Sequence, residues 1–280
     1  MVTSPWLVLC LLVAGSAVAG AQTRILIQPA PRPDQTIHVT TTQEFSFSMA
    51  GGAAAAEPAE AQMVTRTVLG YTQSNGRFDG QGRMESQLTI DRIEAEQTLN
   101  GSAKSPGNLG QLVGRSLTAV FDRAGRLVDI TVPQDLQQAS GMLKQLLAGA
   151  YGALNFLPAT TMAIGETATA PSNIPLRLPG STGTVPYQTR TLTTLRAVET
   201  SGRDRIARLE QRIESAPETD QLKVSGAGTI DVNLDRGFVG ASATEWAVTG
   251  GNPATGSAAS AQLPPGHGTI KVTVTATADE

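Results

Sequence analysis

Ser116-Leu-Thr-Ala-Val-Phe121, Asp122-Arg-Ala-Gly-Arg126 and Leu127-Val-Asp-Ile-Thr-Val132 follow one another without a break. Two alternating, β-branched runs around an Asp-x-x-Gly turn read as a hairpin. The same unit recurs where Gly228 to Leu234 and Phe238 to Ala247 flank Asp235-Arg236-Gly237. Ile37 to Met49 alternates as a strand, with Val39, Thr41, Gln43, Phe45 and Phe47 on one side. Met63 to Tyr71, Arg83 to Leu99 and Tyr187 to Val198 read as further strands. In 267–280, Ile270, Val272 and Val274 alternate with Lys271, Thr273 and Thr275, a closing strand. Asn75-Gly76 predicts a tight turn, because both central positions of a type I′ turn need φ > 0. Thr167 to Leu178 is interrupted by proline and suits a sheet edge. Ile206 to Ile213 has helical spacing at Ile206, Leu209 and Ile213, yet Ala207, Leu209, Gln211 and Ile213 alternate. The Ser201-Gly202 turn before it favours strand.

One segment departs from this pattern. Past Pro133, apolar residues fall at Leu136, Ala139, Leu143, Leu146, Leu147, Ala150 and Leu154. Steps of three and four place them on one face of a helix, 134–156, that ends before Pro158. Gly141, Gly149 and Gly152 each weaken it by about 1 kcal/mol relative to Ala, so packing must hold it. Such a helix either covers one face of a sheet or lids a cavity. The fold class is therefore mainly β: long antiparallel strands in a curved sheet or half-barrel, with one central amphipathic helix.

Around this β-rich domain, 37–249, the chain has simpler parts. Residues 22–36 hold Pro29, Pro31 and Pro33 and read as an extended lead-in. Gly51 to Glu60 is a Gly/Ala-rich loop, and 250–266 is Gly/Ser/Ala/Pro-rich and expected to be mobile. Two features recur in order. Thr65-Arg-Thr-Val-Leu69 is echoed by Thr189-Arg-Thr-Leu192, and Phe121-Asp-Arg-Ala-Gly125 by Leu234-Asp-Arg-Gly237. A duplication of halves 37–132 and 159–249, joined by the helix, would leave such echoes.

The first residues bear on where the protein goes. Trp6 to Ala14 is apolar and small residues follow at Ala17 to Ala21, the pattern of a secretory signal, 1–21. Cleavage fits after Ala19 or, better, after Ala21. Met1 to Pro5 contains no Lys or Arg. Cys10 would leave with the signal, so the mature chain would have no disulfide, cysteine nucleophile or zinc–thiolate site. The protein is expected to be exported, periplasmic or extracellular. No other apolar stretch is long enough to span a bilayer as a helix. Lys and Arg number 21 against 24 Asp and Glu, scattered and without a basic block, which leaves no footprint for nucleic acid.

Leu157-Pro158, Ile164-Gly165-Glu166 after the helix, Gly226-x-Gly228 and the Asp-Arg-Gly hairpin resemble a group of exported bacterial proteins of unknown function. These are similar in outline to the LolA/LppX-type lipoprotein-carrier fold, a strongly curved sheet closed by helices. The resemblance covers most of 40–250 and implies a hydrophobic cavity; it brings no catalytic residues. Carriers of that type use more than one helix, whereas one is legible here.

Chemistry is sparse. His38 and His267 lack metal-ligand spacing and read as surface residues. Gly76, Gly80 and Gly82 match neither phosphate-binding glycine pattern and read as a turn. Asp122, Asp129, Asp231 and Asp235 lie at hairpins without calcium-loop spacing. Asn100-Gly101-Ser102 fits a glycosylation acceptor. Aromatic residues make up 4% of the chain, which argues against sugar stacking. Phe45, Phe47, Phe121, Phe156, Phe238 and Trp246 are the large core residues. Of these and the helix face, Phe45, Phe47, Phe121, Leu143, Leu147 and Trp246 are the ligand-cavity candidates. The expected function is non-catalytic and needs no cofactor: binding of an apolar ligand or lipid in the cell envelope. The alternative is a structural or protein-interaction module with an envelope partner and no small ligand. Catalysis ranks last.

Overall fold

Burial alternates along the strands as the sequence does. In one of them, Arg83–Leu99, Met84, Ser86, Leu88 and Ile90 face inward while Glu85 and Gln87 face water. A chain of such strands can only stack them side by side with one shared apolar face. The computed structural model describes residues 23–49, 61–104, 109–155, 157–158, 160–176, 185–215, 222–250 and 266–279. The expected signal 1–21, the 51–60 loop, Phe156 and nearly all of 250–266 lie outside them.

The strands are β1 (Ile25–Ile27), β2 (Thr36–Met49), β3 (Ala61–Phe78), β4 (Arg83–Leu99), β5 (Ser102–Lys104), β6 (Ser116–Asp122) and β7 (Leu127–Thr131). After helix α1 (Ser140–Asn155) come β8 (Thr160–Met162), β9 (Thr167–Leu176), β10 (Val185–Ser201), β11 (Asp204–Ser215), β12 (Leu222–Asn233), β13 (Phe238–Gly250) and β14 (Gly266–Ala278). Twelve strands form one antiparallel, curved sheet that does not close, in the order β7-β6-β4-β3-β2-β14-β13-β12-β11-β10-β9, with β5 on β4. β1 and β8 make a separate pair. The first long strand, β2, pairs with the last, β14, through thirteen residue pairs. From that centre the chain meanders outward to the edge strand β7 and then crosses once, by α1, to the other edge, β9. The proline-interrupted segment is that edge, with Pro171 and Pro175 in its ladder. Ile206 to Ile213 lies within β11.

Two expectations need correction. Asn75-Gly76 does not turn. β3 runs on to Phe78 with an irregularity after Asn75, and the reversal comes at 79–82, where Asp79 Oδ1 accepts the backbone N–H groups of Gln81 and Arg83 at 2.8 Å. Asn75 stays in the strand because its side chain is tied inside, accepting from Gln73 Nε2 at 2.7 Å and Ser86 Oγ at 2.9 Å. The expected helix 134–156 is not α-helical throughout: Gln134–Ala139 is a tighter 3-10 segment and the α-helix starts at Ser140.

Leu143, Leu146, Leu147, Ala150 and Tyr151 of α1 are buried in one core with Leu69, Tyr71, Leu88, Leu117 and Phe121 of the sheet. At Gly149 the helix comes very close to β2, where a Cβ would lie 2.3 Å from Gln43 Nε2. That amide donates to the Leu146 carbonyl at 2.7 Å. A smaller core gathers Ile27 and Met162 of the β1–β8 pair against Leu195, Leu209, Ile230 and Val232. The outer face is charged, with cross-strand pairs Arg66–Glu44 at 3.4 Å, Arg190–Glu214 at 2.9 Å and Lys271–Glu245 at 3.4 Å. Exposed pairs of this kind add little stability.

Leu143 is 0% exposed. Leu143→Ala is expected to cost about 2–5 kcal/mol in urea unfolding, the range for a leucine cavity in a packed core. Exposed Lys144→Ala on the same helix should change stability by less than about 0.5 kcal/mol.

Candidate functional site

At the end of the sheet where the tight turns lie, residues 28–35 cross from β1 to β2 as a strap. Asp34 N–H donates to the Asn75 carbonyl at 3.2 Å, Asn75 N–H to the Gln35 carbonyl at 2.9 Å, and Asn75 Nδ2 to the Arg32 carbonyl at 3.0 Å. The two Asp-Arg hairpin turns that echo each other in sequence both press on this strap. A Cβ on Gly237 (φ +73°) would lie 1.9 Å from the Ala30 carbonyl oxygen, and one on Gly125 (φ +75°) 3.0 Å from that of Pro29. Only glycine combines that backbone angle with that approach.

Beneath the strap lies a cavity of about 60 Å³, bounded by Pro29 and Pro31 above and by Ile37, Val39, Tyr71, Gln73, Phe121 and Val274 of the sheet. Ala150 and Tyr151 of α1 and Phe238, Val239 and Ala276 complete the wall, with no ionisable carboxylate, amine or guanidinium on it. Its aromatic side is packed edge to face: the Phe121 and Tyr151 rings are 5.1 Å apart at 65°, and Tyr71 and Tyr151 6.1 Å apart at 51°. Tyr151 O–H donates to Gln73 Oε1 at 2.6 Å. Burial holds the Tyr71 hydroxyl well above the ordinary tyrosine range, its hydrogen bond with Tyr151 drawing it part of the way back. Tyr151 is raised too, by burial first and then by Tyr71.

The six sequence candidates all lie on the inner face, but the structure brings only part of them together. Phe121 walls the cavity. Leu143 and Leu147 are buried in the core around it without lining it. Phe45 and Phe47 sit toward the opposite end of β2, their rings stacked at 6.1 Å and 7°. Trp246 lies on β13 against Gly226, where a Cβ would meet its ring at 2.3 Å. Sequence reasoning missed Tyr71, Gln73 and Tyr151, although Tyr151 continues the four-residue steps of Leu143 and Leu147. It also missed the role of Pro29 and Pro31, whose placement depends on turns remote in sequence.

His38, Asp122 and Asp235 each pair with neighbouring groups of the sheet or its turns. His38 is exposed, between Thr72 Oγ1 at 3.0 Å and Asp279 Oδ1 at 3.1 Å. Asp122 Oδ1 accepts from Ala124 and Arg126 N–H at 2.9 Å within its turn. Asp235 is paired with Arg205 at 2.7 Å, and the hydrogen bond from that guanidinium holds its carboxyl below the usual range. Among the described residues no group of three or more His, Cys, Asp or Glu side chains could hold a metal ion. Nor is any described helix long and apolar enough to cross a membrane.

No protein-family model matches the sequence, and a search of curated proteins gives no match. Among solved structures, a lipovitellin chain from a study of lipid–protein interactions is similar to 88% of this chain at 11% identity and a TM-score of 0.51. The likeness is one of fold, and this chain spans only 25% of the lipovitellin chain. DynF of the dynemicin pathway of Micromonospora chersina covers 92% of this chain and 86% of its own, at 8% identity. An outer membrane channel of Pseudomonas putida F1 covers 90% and 98%, also at 8%. Their TM-scores, 0.19 and 0.23, are too low to equate the folds.

Two outcomes test this geometry. Gly237→Ala should push the strap off its turn, read as faster amide exchange at Asn75 with the β10–β11 ladder unchanged; slow exchange at Asn75 in the variant would contradict the contact. An acid whose pKa rises on folding keeps its proton after the unfolded chain has lost it. The stability that Tyr71 lends is therefore whole below about pH 10 and is lost as pH climbs above that value. Urea midpoints measured from about pH 8 to about pH 11 should fall at the alkaline end, and Tyr71→Phe should flatten that fall.

Proposed function

We propose that this chain is an exported, non-catalytic protein of the cell envelope, periplasmic or extracellular, that holds an apolar ligand between the curved sheet and α1. The observation that carries the reading is the uncharged cavity under the strap, walled by Phe121, Tyr71, Tyr151 and aliphatic side chains. Two likenesses support it: the sequence resembles exported bacterial proteins of unknown function that are similar in outline to the LolA/LppX-type carrier fold, and the fold resembles part of lipovitellin, whose structure concerns lipid–protein interactions. The outer face carries charged pairs, which leaves the inside as the apolar surface on offer. A ligand of drug or lipid size fills about 300–1,000 Å³. A whole lipid is accommodated only when α1 lifts from the sheet.

That size difference favours a second reading, a structural or protein-interaction module with a filled interior. Mass spectrometry of an organic extract separates the two, using protein purified after export without detergent. A stoichiometric apolar molecule is expected, and Ala150→Phe, which projects a ring into the cavity, should purify folded but without it. A ligand-free extract from folded wild-type protein that also takes up no added lipid would move the function to the second reading.

A further inference from the structure

The chain carries Asn-Gly twice, at 75–76 and 100–101, and the fold treats the two in opposite ways. Asn75 is 6% exposed and its side-chain amide is held at both ends. Oδ1 accepts from Gln73 Nε2 and Ser86 Oγ, and Nδ2 donates to the Arg32 carbonyl. Gly76 is hemmed in, since a Cβ there would lie 2.5 Å from the Glu85 carbonyl oxygen. Asn100 and Gly101 are exposed and join β4 to β5. Leu99 pairs with Ser102, and the two residues between them have φ +51° and +75°. The tight turn with two left-handed residues is therefore made here and not at 75–76. A Cβ on Gly101 would meet nothing within 4 Å. Gln62 N–H donates to Asn100 Oδ1 at 2.8 Å, while no described residue takes the Asn100 Nδ2 hydrogens or the Gly101 N–H.

We propose that Asn100 is a site of spontaneous covalent modification: deamidation through a cyclic imide formed with Gly101. The Gly101 nitrogen, after losing its proton to hydroxide, bonds to Asn100 Cγ. The Cγ–Nδ2 bond breaks, and Nδ2 leaves as ammonia with a proton taken from water. A second water opens the imide at one of its two carbonyls. The product is aspartate or, where the main chain now runs through Cγ, isoaspartate. The balance is one asparagine and one water to one acid and one ammonia, with no oxidant and no other reactant. Glycine suits the step because, without a Cβ, its nitrogen is unhindered and its backbone is free to turn. Gln62 N–H donates to the oxygen on which charge gathers as the new bond forms, and so favours it. At Asn75 the same step must first break three buried hydrogen bonds, which makes it at least about a hundredfold slower. Conversion takes the formal net charge from −3 to −4, one unit more negative. Isoaspartate also adds a methylene to the backbone of a two-residue turn, and the three residue pairs of β4 and β5 lose what sets their register. The cavity lies at the other end of β3 and β4, so the modification is independent of the ligand.

The folded full chain is kept in mildly alkaline buffer and sampled over weeks for peptide mapping by mass spectrometry. Electron-transfer fragmentation tells isoaspartate from aspartate. Asn100 should convert, mainly to isoaspartate, at a rate that rises with hydroxide and is at least about a hundredfold above that of Asn75. The converted chain should show faster amide exchange across Ser102–Lys104, the mark of the lengthened turn. In concentrated guanidinium chloride the two sites should convert at similar rates, because only the fold separates them. An Asn100 that persists in the folded chain while it converts in denaturant would overturn the proposal. So would an Asn75 that keeps pace with Asn100 in the folded chain.

Discussion

The ladder between β2 and β14 joins the first and last strands of the large sheet in chain order, and the rest of the architecture follows from it. Nearly every other ladder of the large sheet is made between strands that follow one another in the chain. Such pairings are local, and turn chemistry sets their register. The β2–β14 ladder instead brings Ile37 opposite Ala278 and Met49 opposite Gly266. With first and last strands adjacent, the meander has one place where it does not pair, between β7 and β9. The chain must cross there, and it does so with a helix whose apolar face can be buried only on the inner side of the curve. α1 thus packs within the curve, with Leu143 and Leu147 among the sheet's own core residues.

The two faces of the sheet then obey different rules. Outside, Arg and Glu of neighbouring strands alternate in exposed pairs. Inside, apolar side chains share the surface with hydroxyls, some of which satisfy one another, as where Ser172 Oγ meets Thr189 Oγ1 at 2.7 Å and Thr191 Oγ1 at 2.9 Å. Buried polar groups with partners cost little, and those without partners cost a great deal. The series from Tyr151 through Gln73 and Asn75 to Arg32 has the same economy, with its far end fixed on the strap. The strap is held by Asn75 on one side and by the two glycine turns on the others. A cavity stays between it and Tyr71, because proline, aromatic and aliphatic surfaces meet there without interdigitating fully.

Much of this was legible in the residues. Period-two alternation found the long strands, Asp-x-x-Gly and Asp-Arg-Gly found two hairpins, and steps of three and four found the helix, because each signal is local. Asn75-Gly76 misled for a physical reason: its turn propensity is outweighed by a buried amide with three partners. Phe121 was legible as a wall residue, whereas Phe45, Phe47 and Trp246 share its face but not its end of the sheet. Gln73 and the prolines 29 and 31 were not legible, since their roles depend on the β2–β14 ladder and on turns far apart in sequence. Gly149, read as a weakness in the helix, is the point where the helix meets Gln43.

The claim on which the account turns is that the space under the strap is dry and apolar. Crystals of the protein under xenon pressure test it most directly, since an apolar void takes up xenon where a hydrated one does not. The account predicts one xenon atom, or the density of a retained apolar ligand, among Tyr71, Phe121, Tyr151 and Val274. A cluster of ordered waters filling that space, hydrogen-bonded to Tyr71 and Gln73 and undisturbed by xenon, would contradict it.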